Sequence, residues 1–372
     1  MCPKIIAFYL PQYHRVIEND EWWGKGFTDW VSTRNAEPLF RGHNQPRVPL
    51  NKNYYNLLHK SVMTWQADLA KQSGVYGFCF YHYWFGNKQL LEKPAENLFK
   101  WKDIDIHYCF SWANVTWKRS WSKYEGGAWI AESENTDSKG KDSGLLIKQK
   151  YGNHDDWKLH FEYLLPFFQD ERYIKRDNKP IFVIYRPKDI KHIKAMIRLW
   201  NKLACENGFD GIYFVGTNCS GNWREMNLEA VIRYEPSYTI EHDKVYQFMK
   251  KNKEIYQNEH MPMYISYRKI WRRIIERYFE KNIFPGGFVD SDTTPRMGRS
   301  GRVCIGVTPK RFYKYLSKLY KKCIRKNIEY IFLTAWNEWG EGAYLEPDKK
   351  YGLSNLKMIR KVINKYGTKN IS

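Results

Sequence analysis

The sequence lacks the features that mark several classes of protein. Its seven cysteines include no C-x-x-C pair, so neither a disulfide framework nor a zinc site is expected, and Cys79 and Cys109 should be reduced and buried. No apolar run approaches the roughly 20 residues that a membrane-spanning helix needs. The first residues show no signal-peptide pattern. We therefore expect a protein of the reducing cytoplasm, and we predict no metal ion and no cofactor.

Glycine-rich phosphate loops are also missing. No G-x-G-x-x-G follows any predicted strand, which counts against a doubly wound, dinucleotide-binding sheet and against a sugar-nucleotide transferase of that fold. A nucleotide-sugar-dependent transferase on another fold stays open as an alternative. It would need a diphosphate site, for which Arg296, Arg119 and Lys118 are the candidates.

Acidic residues are in the minority, with 40 Asp and Glu against 61 Lys and Arg, and the formal net charge is +21. The basic residues are spread over predicted helices, and no nucleic-acid-binding motif accompanies them, so we predict no nucleic-acid partner. A diffuse basic surface suits an acidic, phosphate-linked substrate or a peripheral contact with an anionic membrane surface. The expected location is therefore the cytoplasm, with contact to the inner membrane as an added possibility.

Short apolar runs alternate with amphipathic segments along the chain. The predicted strands are Ile5 to Leu10, Tyr76 to Tyr83, Ile106 to Trp112, Ile181 to Arg186, Gly211 to Thr217, Ala230 to Glu235, Ile283 to Asp290 and Tyr330 to Ala335. The predicted helices are Val62 to Gln72, Asp155 to Asp170, Asp189 to Glu206, Lys244 to Asn258, Tyr267 to Lys281, Pro309 to Lys326 and Ser354 to Lys365. Eight strands, most of them followed by a helix, indicate an α/β fold of the (β/α)8 TIM-barrel type, with one domain over residues 1–372.

Aromatic and polar residues gather where the predicted strands end. Long loops rich in Trp, Tyr, His and Asn follow strands one, two and three, and polar residues follow strands six, seven and eight. In a (β/α)8 barrel these positions share the carboxyl-terminal face, where active sites lie. Abundant aromatics, 16 Trp, 28 Tyr and 20 Phe, suit either a carbohydrate site or a bulky core.

The stretch from Tyr330 to Asp348 is the most informative. After the buried strand it reads W-N-E-W-G-E-G, which places Glu338 and Glu341 between indoles and glycines. Cleavage or formation of a glycosidic bond commonly uses two carboxyl groups, and indoles offer flat apolar faces for sugar rings. The competing interpretation is a solvated turn beside core tryptophans. The context favours a pair of catalytic glutamates.

Several motifs together resemble the WbsX-type family. They are A-F-Y-L-P-Q-Y-H at 7–14, W-W-G-x-G-F-T-D-W at 22–30, P-L-F-R-G-H-N-Q-P at 38–46, T-T-P-R at 293–296 and A-W-N-E-W-x-E-G-x-Y-L-E-P-D at 335–348. Members of that family are regarded as glycosyltransferases of O-antigen or capsule biosynthesis and carry a domain similar to glycoside hydrolase family 99. The matching blocks run from the first strand to the last.

The resemblance implies a (β/α)8 barrel, no metal, and retaining cleavage of α-mannosidic bonds. It implies that Glu338 is the base that takes the proton of the sugar 2-hydroxyl, so that this oxygen displaces the leaving group through a 1,2-anhydro intermediate. Glu341 would be the general acid and then the base. The expected partner is an oligosaccharide or lipid-linked glycan of cell-surface polysaccharide biosynthesis, and the remaining alternative is a glycan-binding protein without turnover.

Further residues are predicted to contact the substrate. They are Tyr9, Tyr13, His14, Trp30, His82, Trp84, Trp112, Asn114, Trp117, Glu235, Asp292, Arg296, Trp336, Asn337, Trp339 and Tyr344. Structural roles compete for some of them. The two histidines could bond only to backbone groups, Arg296 could pair with a carboxylate of the rim, and the tryptophans at 22, 23 and 30 could form a lid that packs on itself.

The sequence departs from the family pattern at two places. The pattern usually reads W-A-N-E-x-W after strand three, where this chain has Val115 in place of the glutamate. Before T-P-R it usually reads W-D-N, where this chain has Ser291, Asp292 and Thr293. Both changes bear on which substrate binds, and neither alters the glutamate pair.

Overall fold

The computed structural model describes residues 2–118, 144–219, 221–251 and 261–367, apart from the side chains at 249–251. Nine strand segments form one parallel sheet: β1 (Lys4–Tyr9), β2 (Val75–Trp84), β4 (His107–Trp112), β8 (Lys179–Ile184), β9 (Tyr213–Gly216), β10 (Ala230–Ile232), β12 (Ile283–Phe284), β13 (Gly286–Phe288) and β15 (Tyr330–Thr334). Shorter strands lie outside this path: β3 (Gln89–Leu90), β5 (Trp117–Lys118), β6 (Leu145–Ile147), β7 (Lys175–Arg176), β11 (Met263–Ser266), β14 (Arg302–Ile305), β16 (Asn337–Glu338) and β17 (Ala343–Tyr344). Within the described ranges, no helix is both long and apolar enough to cross a membrane.

The helices carry the labels α1 to α12 in chain order. They are α1 (Ile17–Trp23), α2 (Asp29–Arg34), α3 (Lys60–Ser73), α4 (Lys93–Lys100), α5 (His154–Gln169), α6 (Ile193–Glu206), α7 (Ser237–His242), α8 (Lys244–Lys251), α9 (Tyr267–Glu276), α10 (Thr294–Met297), α11 (Pro309–Arg325) and α12 (Ser354–Gly367).

The parallel sheet curls into a nearly closed barrel. Its strand order is β12-β10-β9-β8-β4-β2-β1-β15-β13. The two ends of this order, β12 and β13, are consecutive halves of one strand separated by Pro285, whose carbonyl accepts a hydrogen bond from Phe332 N at 3.1 Å. Proline cannot donate to a neighbouring strand, so the seventh strand changes partner there, from β10 to β15. The predicted (β/α)8 barrel of eight strands is confirmed, with the seventh strand broken in two.

Most predicted helices are present with shifted ends. The helix predicted from Asp189 begins at Ile193, after a short 3-10 turn, and the one predicted to Lys281 ends at Glu276. The predicted segment from Lys244 to Asn258 is a helix as far as 251, and its remainder lies outside the described residues. The short helices α1, α2, α4, α7 and α10 were not predicted, because segments of this length carry too little periodic signal.

The barrel interior is filled by aromatic rings. Phe8 on β1 stacks on Tyr81 at 5.7 Å between centroids, meets Tyr234 edge-on at 5.0 Å and lies 5.7 Å from Phe332. These contacts join strands on opposite sides of the barrel and extend up to the carboxyl-terminal rim. Much of the aromatic content therefore builds the core, and the site rests on it.

Two barrel strands approach each other closely at Gly286, at the start of β13. A Cβ atom there would lie 1.9 Å from the carbonyl oxygen of Arg233 and 3.1 Å from Cγ of Glu235. Backbone cannot yield to such a contact as a flexible side chain can. Only glycine fits where the barrel closes.

We predict that Gly286→Ala lowers the free energy of unfolding by about 3 kcal/mol, because the added methyl group overpacks against backbone. Urea unfolding followed by circular dichroism measures this loss. Gly367→Ala is the control, since its Cβ would make an ordinary 3.6 Å contact with Ile363. Equal stability of the two variants would show that the close approach at Gly286 is not a constraint.

Candidate active site

A cleft opens at the carboxyl ends of the barrel strands. It is lined by Leu10, Gln12, Tyr81, Tyr83, Ala113, Val115, Tyr185, Tyr234, Arg296, Glu338 and Glu341. These residues lie at the end of, or follow, seven of the eight strands of the barrel. The cleft is therefore the common meeting point of the loops, where a (β/α)8 barrel places its active site.

The glutamates reach the cleft through a tight hairpin after β15. The strands β16 and β17 pair antiparallel, and a 3-10 turn, Trp339–Glu341, connects them. Gly342 ends the turn in the left-handed region at φ +60°, and a Cβ there would lie 2.8 Å from Asp292. Glycine is thus required for the turn that carries Glu338 and Glu341 side by side.

Glu338 lies at the floor of the cleft and is buried. Its Oε1 atom accepts a hydrogen bond from the hydroxyl of Tyr81 at 2.6 Å, and the hydroxyl of Tyr234 lies 2.6 Å from that of Tyr81. Burial, followed by the negative charge of Glu341, raises the pKa of Glu338 to about 8, while Arg296 and Tyr81 oppose the rise. Glu338 therefore carries a proton through most of the neutral range.

Glu341 has a different environment. Its side chain is about 29% exposed, and its Oε1 accepts a hydrogen bond from Nη1 of Arg296 at 2.5 Å. Nε of Arg296 bonds to Oδ1 of Asp29 at 3.1 Å. Although burial alone would lower the pKa of Arg296, these carboxylates together raise it well above its usual value. The two glutamates thus share a cleft but differ in burial and in partners.

A set of buried hydrogen bonds fixes the loop. The Asn337 side chain accepts from Leu10 N at 2.8 Å and donates to Leu10 O at 3.0 Å, which joins the loop to the end of β1. The Tyr13 hydroxyl donates to Asn337 O at 2.5 Å and accepts from Trp339 N at 3.0 Å. Asp29 Oδ2 accepts from Gly340 N at 3.1 Å. Every residue between the two glutamates is therefore held by a group from the first βα loop.

A third glutamate of this segment, Glu346, lies behind the hairpin. It accepts hydrogen bonds from Gln66 Nε2 at 2.7 Å, from the hydroxyl of Tyr55 at 2.8 Å and from Trp339 Nε1 at 2.7 Å. Burial raises its pKa to about 7, while these donors oppose the rise. Glu346 does not line the cleft, and it acts as the anchor for the Trp339 ring, which stacks on Tyr344 at 3.7 Å between centroids.

Asp292 braces the other side of the hairpin. Its Oδ2 atom lies 2.9 Å from His43 Nε2 and 2.8 Å from Gln45 Nε2, and its backbone N donates to Glu341 O at 2.6 Å. With Asp290 it forms a D-x-D pair, but Arg47 bonds to both carboxylates, at 2.8 and 3.4 Å. In the described parts of the chain, no group of three or more His, Cys, Asp or Glu side chains could hold a metal ion.

The structure brings only some of the predicted contact residues to the cleft. Arg296 lines it together with the glutamate pair. Tyr9 instead points out of the barrel, where its hydroxyl bonds to Gln66 on α3 at 2.6 Å. His82 also faces outward, with Nε2 lying 2.8 Å from Nε2 of His160 on α5.

Most of the remaining predicted residues form the supporting layer. Trp84 stacks on His160 at 4.4 Å, and Trp112 Nε1 bonds to Trp84 O at 3.0 Å. Glu235 is fully buried and pairs with Arg277 at 2.6 Å, so it is directed away from the cleft. The other predicted residues are buried around the loops and do not line the cleft: Tyr13, His14, Trp30, Asn114, Trp117, Asp292, Trp336, Asn337, Trp339 and Tyr344.

Residues that line the cleft include several that the sequence analysis did not select. The side-chain period of a strand is two, so Tyr81 and Tyr83 face the cleft while His82 and Trp84 face the helices. By the same alternation, Leu10 faces the cleft and Tyr9 faces the helices. Applying this alternation to the ends of the first, second and sixth predicted strands would have separated the cleft-lining residues there from their neighbours, as it does Tyr234 from Glu235.

Of the three cations proposed for a diphosphate site, two are described by the structure, and of these Arg296 lines the cleft while Lys118 does not. Arg296 is engaged with Asp29 and Glu341. Lys118 lies on β5, which pairs with β6. Arg119 falls outside the described residues.

Solved structures share this architecture. The glycoside hydrolase family 99 endo-α-mannosidase from Bacteroides thetaiotaomicron matches with a TM-score of 0.56 at 13% identity, over 97% of this chain and 96% of that one. A glycoside hydrolase-like protein matches with a TM-score of 0.56 at 12% identity, over 97% and 94% of the two chains. At these identities the likeness shows the fold alone.

Sequence relatives extend beyond this chain. The uncharacterized protein WxcX of Xanthomonas campestris pv. campestris, in each of two strains, is 29% identical over 367 residues, which is 97% of this chain. The chain spans about half the length of these relatives, of which it covers 50%. Residues 5–359 match the family described as glycosyltransferase WbsX, from the first barrel strand into the last helix. The chain therefore belongs to the glycosyltransferase WbsX family.

Proposed function

We propose that the protein is an enzyme that cleaves or transfers glycosyl units at an α-glycosidic, mannoside-like bond, with Glu338 and Glu341 as its acid–base pair. The observation that carries this proposal is the unlike environment of two carboxyl groups in one cleft, one buried with a raised pKa, the other partly exposed and paired with Arg296. Pairs of carboxyl groups with contrasting environments are a recurrent solution for acid–base work on a glycosidic bond.

In the proposed mechanism Glu338 acts as the base toward the sugar 2-hydroxyl. It takes the proton, the freed oxygen attacks the anomeric carbon, and Glu341 protonates the leaving oxygen. Water or a sugar hydroxyl then opens the 1,2-anhydro intermediate, with Glu341 as base, and Glu338 returns its proton to the 2-oxygen. The raised pKa of Glu338 makes its ionised form a stronger base, and Tyr81 fixes its orientation.

The proposed substrate is an oligosaccharide or lipid-linked glycan of bacterial cell-surface polysaccharide biosynthesis. Membership of the WbsX family supports the carbohydrate class. The net charge of +21 suits phosphate-linked glycan carriers at an anionic membrane surface. We infer action in the cytoplasm, at or near the inner membrane.

Loss of either carboxyl group should abolish turnover. We predict that Glu338→Gln and Glu341→Gln each lower the single-turnover rate on α-linked free or lipid-linked oligosaccharides at least about a hundredfold, without a nucleotide-sugar requirement, because general acid–base catalysis contributes that much. Glu37→Gln is the control, since Glu37 is exposed and does not line the cleft. Activity that appears only with a nucleotide sugar and survives both substitutions would move the chemistry elsewhere on the rim.

The pH dependence tests the acid–base pair. Because the mechanism needs Glu338 ionised and Glu341 protonated at the same time, kcat/KM should be bell-shaped, with one of its two limbs near pH 8 and set by Glu338. Stopped assays from pH 5 to 9.5 measure this profile. A profile that shows no break near pH 8 would contradict the raised pKa of Glu338.

Burial of Glu338 also has a cost in stability. The pKa of Glu338 in the folded state is about 8, above its value in the unfolded state. Between these two pKa values the folded state binds one more proton than the unfolded state. The free energy of unfolding therefore falls as pH rises through this window, by about 1.4 kcal/mol per pH unit. We predict that Glu338→Gln removes this loss and gains free energy of unfolding over wild type between pH 5.5 and 8. Urea unfolding tests it, with the exposed Glu37→Gln as control. If the free energy of unfolding of Glu338→Gln equals that of wild type at every pH, the raised pKa of Glu338 is contradicted.

A further inference from the structure

The two sides of the cleft differ in chemistry. Glu338, Glu341 and Arg296 come from the loops after β15 and β13, the eighth and seventh strands of the barrel. Ala113 and Val115 follow β4, the third strand, and Tyr185 follows β8, the fourth. Strands four apart in an eight-stranded barrel face each other across its axis. The charged groups therefore lie opposite Ala113, Val115 and the ring of Tyr185, which together we call the apolar wall.

The polar side chains of the segment after β4 are directed away from the cleft. Asn114 is buried, accepts from Arg186 N at 2.8 Å and donates to Arg186 O at 2.9 Å. The Thr116 hydroxyl accepts from Gln149 N at 3.1 Å. Because successive side chains of this segment point to alternate sides, the methyl groups of Ala113 and Val115 line the cleft.

The side chain of Val115, on the apolar wall, offers a ligand no hydrogen-bonding group. A carboxylate there would accept hydrogen bonds from sugar hydroxyls, and valine cannot. A hydroxyl buried against Ala113 and Val115 would lose its bond to water with no replacement.

Resting on the proposed function, we propose that the cleft binds a glycosyl unit of the 6-deoxyhexose class. Its methyl group packs on Ala113 and Val115, and its ring presents the anomeric carbon to Glu338 and Glu341 on the opposite side. Val115 is then a specificity-determining residue, since it favours a methyl over a hydroxymethyl group at C5 of the sugar.

The expected discrimination is moderate. Apolar pockets reject an added hydroxyl by roughly 10- to 100-fold, because the cost is one unpaired hydroxyl. We therefore predict that wild type prefers 6-deoxy-α-mannosyl over α-mannosyl oligosaccharides by at least about tenfold in kcat/KM. The two substrates of each pair are otherwise identical, so the ratio isolates the contact at C5.

Two substitutions at one position test the contact. Val115→Thr adds a hydroxyl at nearly constant volume and should reduce the preference severalfold, and Val115→Glu should abolish or reverse it. The control is Val307→Thr, a partly buried valine outside the cleft, which should leave the ratio unchanged. Equal kcat/KM for both sugars in wild type, or a ratio that Val115→Thr leaves intact, would overturn the inference while the proposed reaction stands.

A binding measurement separates this inference from the proposed function. Calorimetry with Glu338→Gln and the same sugar pairs should show the tenfold preference for the 6-deoxy sugar without turnover. If wild type turns over neither sugar but this preference is found, the proposed reaction fails and the inference survives. Absence of binding by both sugars, or tighter binding of the hydroxymethyl sugar, would overturn the inference.

Discussion

The paired hydrogen bonds between the Asn337 side chain and the backbone of Leu10 are the contact on which the site depends. They join the end of the first barrel strand to the loop after the last, 327 residues apart in sequence. Tyr13 and Asp29, from the same first loop, hold the backbone at Asn337, Trp339 and Gly340. The same group of bonds therefore attaches the first βα loop to the loop after β15 and fixes the position of the glutamates.

This arrangement explains why so many conspicuous polar residues lie away from the cleft. Asp292 and Glu346 each accept several hydrogen bonds, from opposite sides of the hairpin, and neither lines the cleft. A loop that must hold two carboxyl groups in a low-dielectric cleft needs buried donors and acceptors on both flanks. The motif residues around the glutamates are thus largely supporting groups.

The barrel could be predicted from sequence because its signal is local: short apolar runs at regular intervals, each confirmed as a strand. The break of the seventh strand at Pro285 was visible as a proline, but its consequence, a change of partner, depends on neighbours distant in sequence. The glutamate loop was recognisable from residue types. Residue type alone did not show which of its neighbours face the cleft, because Tyr9, His82 and Trp84 are as prominent in sequence as Leu10, Tyr81 and Tyr83 and differ from them only in the parity of their strand positions. The contacts of Asp29 with the site are set by tertiary structure alone.

The electrostatics of the cleft follow from this geometry. Glu338 is surrounded by tyrosine rings, and its nearest opposing charge, Arg296, is shared with Asp29 and Glu341. Burial, followed by the negative charge of Glu341, raises the pKa of Glu338 to about 8, and the shared Arg296 opposes this rise only in part. Moving Arg296 closer to Glu338 would stabilise its charged form and the folded state, but it would also weaken Glu338 as a base. Because Arg296 is shared, the charged form of Glu338 and the folded state are less stable, whereas Glu338 is a stronger base in the proposed chemistry.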